Sequence, residues 1–180
     1  DQPYSIIVAD LNDDKQPDLV TTNYRSADIS VLINEGGSFS LKGSFEVGAS
    51  PNNLDVGYLD ADEHLDLAVA CADSATIALM KGDGKGKFEK LTELQHAGDA
   101  TNVKIVRDSG TWIVSLDGKR AEVIFWEQMD DGNFFPVSKT ETGGEGPCHF
   151  LYEDLDKDGH RELAIPNMGS NDLQILDSLE

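Results

Sequence analysis

The chain is poor in cysteine, in long apolar runs and in helical periodicity. Only two cysteines occur among its 180 residues, Cys71 and Cys148, too few for the disulfide framework of a small secreted domain. Both fall in strand-like segments, so we expect two free, packed thiols. No apolar run approaches the ~18 residues of a membrane span, and no basic-then-apolar segment opens the sequence. We therefore expect no membrane insertion.

Basic residues are also scarce. Lys and Arg number 14 against 34 Asp and Glu, so the net charge is -20. This balance argues against a nucleic-acid partner, because phosphate contacts require Lys and Arg. Two explanations of the acidity stay open, solubility in a salty medium and carboxylates that hold cations.

The sequence is rich in internal repetition. Asp18-Leu-Val recurs 48 residues later as Asp66-Leu-Ala, and a further 96 residues on as Glu162-Leu-Ala. We infer a single domain of four units, each of about 48 residues, of which the third is the most diverged. The units cover about 1–48, 49–97, 98–144 and 145–180.

Each unit divides into short strands. The first three strands are apolar, as in Ile6-Ile7-Val8, which suits strands covered on both faces. The fourth follows a Gly-x-Phe turn at Gly37, Gly86 or Gly132 and is more polar, which suits an outer edge. This pattern predicts an all-β fold, a β-propeller of four four-stranded blades, with the last blade lacking its outer strand. Trp112 and Trp126 fall in strands and are expected in the core.

An acidic loop between the first two strands is the main candidate site. Residues 10–18 place oxygen-bearing side chains at their first, third, fifth and ninth positions, and Ca²⁺ takes six to eight oxygen ligands. We predict Ca²⁺ sites in units one and four, a weak site or none in unit two, and none in unit three. The predicted ligands are Asp10, Asn12, Asp14, Asp18 and the backbone of Gln16; Asp154, Asp156, Asp158, Glu162 and the backbone of His160; and Asp60, Asp62 and Asp66, where Tyr58 replaces the first ligand.

Other interpretations of the loops are weaker. Asp-rich hairpins are often plain solvated turns, but a turn does not require carboxylates at alternate positions. An EF-hand needs a bidentate Glu at position twelve between two helices, whereas Thr21 and Ile165 occupy that position here, inside strands. Zinc is disfavoured because the loops contain no cysteine and their histidines fall at backbone-ligand positions.

The acidic loop, the Gly-x-Phe turn and the proline that opens a unit resemble the FG-GAP (integrin-α-like, VCBS-type) propeller repeat. The resemblance covers essentially the whole chain, strongly in units one, two and four. It implies a propeller in which Ca²⁺ is mainly structural, and a role in adhesion or recognition. Family members often have about seven blades, so we expect part of a larger propeller. Completion of the fourth blade by another chain is the alternative.

Function is expected on the rim opposite the loops. Tyr24 and Arg25 are the first candidates there for contact with a protein or carbohydrate ligand. No Gly-x-Ser-x-Gly elbow, phosphate loop or His-Glu-x-x-His motif occurs, so we assign no catalytic residue and expect no enzyme. The leading hypothesis is an extracellular, cell-surface or periplasmic Ca²⁺-binding recognition module. An accessory propeller of a secreted carbohydrate-active enzyme, such as a polysaccharide lyase, and a purely architectural spacer remain alternatives.

Overall fold

The computed structural model describes residues 1–177; residues 178–180, the end of the predicted fourth unit, lie outside the described part. Fifteen strands form in the described part, and no helix. Accordingly, no helix there is long and apolar enough to cross a membrane. The strands are β1 (Pro3–Ala9), β2 (Asp18–Asn23), β3 (Asp28–Asn34), β4 (Phe39–Glu46), β5 (Pro51–Gly57), β6 (Asp66–Cys71), β7 (Thr76–Gly82), β8 (Phe88–Gln95), β9 (Ala100–Arg107), β10 (Thr111–Asp117), β11 (Glu122–Gln128), β12 (Phe134–Glu141), β13 (Leu151–Glu153), β14 (Glu162–Asn167) and β15 (Asp172–Leu176).

The strands form four antiparallel sheets in chain order. Three sheets have four strands, β1–β4, β5–β8 and β9–β12, and the fourth has three, β13–β15. Within each sheet every strand pairs with the next along the chain, as short turn-rich connections favour. The predicted all-β propeller fold is confirmed, and within residues 1–177 the fourth blade has three strands.

Inner strands of neighbouring blades are joined by side-chain bonds to backbone. The Asn53 side-chain oxygen accepts a hydrogen bond from the Val103 N–H at 3.1 Å, and an Asp55 carboxylate oxygen accepts one from the Ile105 N–H at 2.7 Å. Each bond links β5 to β9. They satisfy backbone donors that inner strands cannot pair within their own sheets.

The core consists of three apolar layers, one between each pair of successive blades. Val31, Leu67 and Met80 belong to the first layer, Leu79 and its neighbours to the second. Burial of each such side chain contributes roughly 1.5–3 kcal/mol. The blades are therefore held together face to face rather than edge to edge.

The two end faces of the row of blades are apolar and exposed. Ile6 and Val8 of β1 are both 61% exposed, whereas Leu54, at the register position of Ile6 in the second blade, is buried against the first. In the fourth blade, Leu173 and Ile175 are 60% and 57% exposed. The expectation that all inner strands are covered on both faces is therefore wrong at the two ends, where no described blade packs.

Two further sequence predictions were wrong in part. Cys71 is buried, but Cys148 is exposed, because it lies in the connection before β13 rather than in a strand. Trp126 is buried as expected, whereas Trp112 is only partly buried at the border of the third layer. Both departures occur next to the incomplete fourth blade.

Candidate metal loops and inner-strand pocket

The first acidic loop is organised by its own side chains. The Asp10 carboxylate accepts the Asp14 and Lys15 N–H groups at 3.1 and 2.7 Å, and Asp14 accepts the Gln16 N–H at 2.7 Å. Asn12 also accepts the Asp14 N–H and donates to the Asp14 carboxylate at 2.9 Å. The side chains at positions one, three and five therefore bind the backbone of their own loop, and among residues 1–177 the acidic ligands of this loop do not form a close cluster. The Gln16 side chain instead reaches the Gly36 N–H at 3.3 Å.

Asp18, at the ninth position of the loop, is buried and binds two separate segments of backbone; we call this arrangement the carboxylate clamp. Asp18 is fully buried, and its two oxygens accept the Leu11 N–H at 2.9 Å and the Asn34 N–H at 2.8 Å. Asp66 repeats the arrangement in the second blade, with the Leu59 and Gly82 N–H groups at 2.7 and 2.9 Å. Burial raises the Asp66 pKa, while these two backbone donors oppose the rise. The carboxylate therefore ties the loop to the end of the third strand.

The fourth loop brings three predicted ligands close together. Carboxylate oxygens of Asp154, Asp156 and Glu162 lie within 4.8 Å of one another. Glu162 is the buried member and accepts the Leu155 N–H at 2.7 Å. Asp158 accepts the His160 N–H at 2.8 Å, as Asp14 does for Gln16 in the first loop. The donor set is carboxylate oxygen on an exposed loop, which fits a hard cation such as Ca²⁺.

The sixth position of each loop adopts a left-handed backbone. The φ values are 67° at Lys15, 67° at Glu63 and 95° at Gly159. Glycine adopts this conformation without a steric cost, whereas other residues pay for it. The fourth loop therefore has the residue that its backbone favours, and the first two loops carry local strain.

The second loop contains a cation from the chain itself. The Lys81 ammonium lies 3.0 Å from the Asp62 carboxylate and also contacts that of Asp60. Hydrogen bonds to Asp60 and then Asp62 raise the pKa of Lys81 above its usual value. The Tyr58 ring, at the first ligand position, lies under the Arg107 guanidinium at 5.5 Å. Two of the three predicted ligands in this loop are therefore ion-paired with lysine.

A hydrogen bond and an ion pair connect the loops of neighbouring blades. Asp13 Oδ2 lies 2.8 Å from His64 Nδ1, joining the first loop to the second. Asp108, in the short third turn, pairs with Arg161 of the fourth loop at 3.0 Å. The third turn itself has no acidic set, as the sequence predicts. The side chains that point away from the candidate metal centres thus link adjacent blades.

A polar pocket of about 240 Å³ lies on the rim opposite the loops. Residues at or beside the start of all four inner strands form it. They are Tyr4, Ser5, Asn52, Asn53, Thr101, Asn102, Cys148 and His149. The Asn52 side-chain oxygen is shielded from solvent and accepts no hydrogen bond from the described residues. None of the lining residues is a Lys, Arg, Asp or Glu.

His149 and Asn102 form the polar centre of this pocket. The Asn102 amide contacts His149 Nδ1 by a hydrogen bond between β9 and the segment before β13. Withdrawal from water, and then the nearby Lys104 ammonium, lower the pKa of His149. The ring is therefore favoured in its neutral form, in which one nitrogen donates and the other accepts.

The predicted ligand residues Tyr24 and Arg25 lie outside the pocket. Both are in the turn between β2 and β3, where their N–H groups bond the Gln2 and Asp1 carbonyls at 2.9 and 3.2 Å. The Tyr24 ring lies 5.8 Å from the Tyr4 ring, which does line the pocket. Tyr24 thus supports the pocket wall, and Arg25 is exposed beyond it.

A buried polar cluster between the second and third blades has no counterpart in the sequence predictions. His96 Nε2 lies 2.9 Å from Ser115 Oγ, which also accepts a hydrogen bond from the Trp126 indole at 2.8 Å. His96 Nδ1 lies 3.7 Å from an Asp117 carboxylate oxygen. The His96 and Asp117 side chains are fully shielded from solvent, so these groups stabilise the fold and cannot reach a substrate. The sequence feature that could have predicted this cluster is Ser115, a polar residue within an apolar strand.

Comparison with known proteins supports the repeat and the fold. Residues 10–69 match the model of the FG-GAP-like repeat, which confirms the resemblance for this stretch. No curated protein matches the chain.

Several solved structures share the fold. One is a functionally unknown protein from Desulfotomaculum acetoxidans DSM 771, 14% identical, with a TM-score of 0.70 over 99% of this chain and 52% of its own. Another, from Bacteroides uniformis ATCC 8492 and provisionally named a 6-phosphogluconolactonase, is 13% identical, with a TM-score of 0.76 over 99% of this chain and 51% of its own. The periplasmic gluconolactonase of Pseudomonas aeruginosa is 14% identical, with a TM-score of 0.71 over 96% and 49%. The chain spans about half the length of these structures.

Proposed function

We propose that this chain is a Ca²⁺-stabilised propeller segment that recognises a neutral polar ligand, most suitably a glycan, in the inner-strand pocket. The observation that carries the proposal is the pocket itself: β1, β5, β9 and the segment before β13 contribute polar side chains to it. Asn52 and His149 give the pocket an amide and an imidazole group.

The chemistry of the pocket suits a sugar hydroxyl array. Amide, hydroxyl and imidazole groups offer both donors and acceptors, and the Tyr4 ring offers an apolar face with a polar end. The lining has no charged side chain, which favours a neutral ligand over a phosphate or a carboxylate. The volume of about 240 Å³ is below the 300–1,000 Å³ usual for drug-sized ligands, so one sugar ring is a suitable occupant.

Ca²⁺ would have a structural role on the opposite rim. The residues that would hold it are the acidic and amide side chains of the first and fourth loops, with Asp18 and Glu162 also clamping backbone. When bound, the cation neutralises carboxylates that otherwise repel one another. Extracellular Ca²⁺ at about millimolar concentration fills even sites with a Kd of ~10⁻⁴–10⁻³ M, which suits a secreted, cell-surface or periplasmic protein.

The test is a glycan array followed by calorimetric titration of the sugars retained. Asn52→Leu is the informative variant, because Asn52 Oδ1 makes no hydrogen bond that the substitution would break. We expect it to weaken binding roughly tenfold or more. Arg25→Ala is the matched control, since Arg25 is exposed and lies outside the pocket. Loss of binding in Arg25→Ala with retention in Asn52→Leu would place recognition elsewhere on the rim.

Hydrolysis of a sugar lactone is the second candidate. Two of the structural relatives are named as gluconolactonases, and a His149 ring favoured in its neutral form lines the pocket, as a general base requires. Incubation with glucono-lactones, with the ring-opened acid as the readout, separates the two candidates. Turnover that is abolished in His149→Gln would favour the enzyme, and its absence leaves recognition as the function.

A further inference from the structure

A groove of about 330 Å³ lies between the second and third blades, beside their outer strands. Ile124 and Trp126 of β11 and Pro136 of β12 form its apolar floor. Gln95 and Ala97, at the end of the second blade, line it from the other side. The groove shares no residue with the inner-strand pocket, so it is a separate site.

The corresponding space between the first and second blades is crossed by a lysine. Lys90 of β8 reaches the first blade, where its ammonium donates a hydrogen bond to the Val47 carbonyl at 2.8 Å. The same ammonium pairs with the Glu93 carboxylate at 2.7 Å. One long side chain therefore spans the first interface, and a carboxylate of its own strand neutralises its charge there.

The repeat register explains why the second interface stays open. Lys90 and Pro136 each lie two residues after the phenylalanine that opens their outer strand, beside the bulge of that strand. Proline has a short side chain and no hydrogen-bond donor, so Pro136 cannot make the contact that Lys90 makes. Glu93 and Lys139 also correspond, each five residues after the same phenylalanine. The third blade thus has a proline and a lysine where the second blade has a lysine and a glutamate.

The charges that border the open groove favour an anion. Lys139 pairs with the Glu122 carboxylate at 2.9 Å, so these two charges balance. Arg120 also lines the groove and is exposed, and its guanidinium forms no ion pair within residues 1–177. The chain carries a net charge of -20, but exposed charges farther away than about 8 Å are largely screened at physiological ionic strength. The local charge is therefore positive on a strongly acidic chain.

We propose that this groove binds a small carboxylate with an apolar body, such as an aryl-substituted or alkyl-substituted acid. The apolar body covers Ile124 and Trp126, and the carboxylate accepts paired hydrogen bonds from the Arg120 guanidinium. An ammonium would meet two positive groups and a carboxylate that is already paired. A sugar would place hydroxyl groups on an apolar floor, where their loss of water is uncompensated. The groove thus differs in ligand class from the inner-strand pocket.

Three probes with one apolar body test the role of charge: phenylbutyrate, phenylbutanol and phenylbutylamine. Binding is followed by the emission of Trp126, which lies in the groove floor. Phenylbutyrate should bind roughly tenfold or more tightly than phenylbutanol, the effect of a charge-assisted hydrogen bond, and phenylbutylamine should bind most weakly. The signal should persist in Trp112→Phe, because Trp112 does not line the groove. Equal binding of the three probes, or loss of the signal in Trp112→Phe, would overturn the proposal.

Arg120→Gln tests the residue that supplies the preference for an anion. The affinity for phenylbutyrate should fall to that for phenylbutanol, while the affinity for phenylbutanol stays the same. The fold should tolerate the change, because the side chain is exposed and the Arg120 N–H, which bonds Asp117 at 2.9 Å, is retained. Lys119→Gln, exposed outside the groove, is the matched control and should bind as wild type does. An unchanged affinity for phenylbutyrate in Arg120→Gln would contradict the proposal.

Pro136→Lys tests the location of the site without relying on Arg120. The new side chain stands where Lys90 stands in the second blade, so it should close the groove and abolish binding of the uncharged probe, phenylbutanol. Phe135→Lys adds the same charge at the neighbouring position, outside the groove, and should bind phenylbutanol as wild type does. Wild-type binding of phenylbutanol in Pro136→Lys would show that the apolar body lies elsewhere, which would exclude the groove as the site.

Discussion

The Lys81 ammonium lies 3.0 Å from the Asp62 carboxylate, in the loop where Tyr58 stands at the first predicted ligand position. The residue at the same register position in the first blade is Ile33, which lies one residue before the end of β3 as Lys81 does in β7. The second blade therefore has Tyr58 at the first predicted ligand position and a lysine where the first blade has isoleucine. An ammonium that approaches two carboxylates can replace part of the charge neutralisation that a metal provides.

Replacing Lys81 by Met should convert the second loop into a cation-dependent one. Asp60, Asp62 and Asp66 would then repel one another without an internal counter-ion. We expect a lower melting temperature than wild type in chelator, and a larger increase on addition of Ca²⁺. Lys85→Met, in the exposed turn after β7, is the matched control for removal of one positive charge. An equal Ca²⁺ response in wild type and Lys81→Met would show that Lys81 does not replace a metal ion in the second loop.

Removal of Ca²⁺ should destabilise the wild-type chain. A site bound only in the folded state adds about 1.4 kcal/mol when Ca²⁺ is at ten times the Kd, and two such loops are predicted. Calorimetric melting in chelator, in Ca²⁺ and in Na⁺ of equal ionic strength separates specific binding from screening. The double variant Asp14→Asn/Asp156→Asn should abolish the Ca²⁺ response. Equal melting in chelator and in millimolar Ca²⁺ would contradict the metal assignment in both loops.

Asp18 should matter whether or not Ca²⁺ is present. Its buried carboxylate accepts hydrogen bonds from two backbone N–H groups. An asparagine amide at this position could accept only one of these bonds, because its NH₂ group would face the other N–H. We expect Asp18→Asn to lower the free energy of unfolding by about 2–3 kcal/mol in urea titrations, in chelator as well as in Ca²⁺. Asp14→Asn, exposed in the same loop, should cost under about 0.5 kcal/mol in chelator. Similar losses for the two variants in chelator would refute the clamp.

Local turn chemistry explains why much of the fold was predictable. Several strand boundaries follow from a repeated signal, such as Asp18 after the acidic loop or Phe39 after a Gly-x-Phe turn, and both signals act within a few residues. Lys81 was not predicted as the loop's cation, because its role depends on the neighbouring strand β7 reaching the loop. The exposure of Ile6 was missed for a related reason: its apolar character is the same as that of Leu54, and only the presence of a neighbouring blade distinguishes them.

The two cysteines should differ in reactivity. Burial raises the pKa of Cys71 to about 11, so little thiolate forms near neutral pH, whereas Cys148 is exposed. A thiol reagent should therefore modify one cysteine in the native chain and two in denaturant. Cys148→Ser should leave no rapidly reacting native thiol. Fast modification of native Cys148→Ser would mean that the layer between blades one and two opens readily.

His96 should make the fold sensitive to mild acid. Burial lowers its pKa below the ordinary 6.5, with Asp117 opposing the shift. The folded state therefore resists protonation that the unfolded chain accepts. The stability that His96 contributes is complete above the unfolded pKa of about 6.5, and it is lost as the pH falls from there through the folded pKa.

The measurement is the urea midpoint at pH values on both sides of the ordinary histidine pKa. His96→Gln should be less stable than wild type at the higher pH, because it loses the fit against Ser115, but its stability should fall less on acidification. Buried carboxylates such as Asp66 titrate in the wild type and in His96→Gln alike. The difference between the pH slopes of these two proteins therefore isolates the contribution of His96. A slope in His96→Gln equal to that of wild type would show that the ring accepts a proton in place and that Asp117 stabilises the imidazolium.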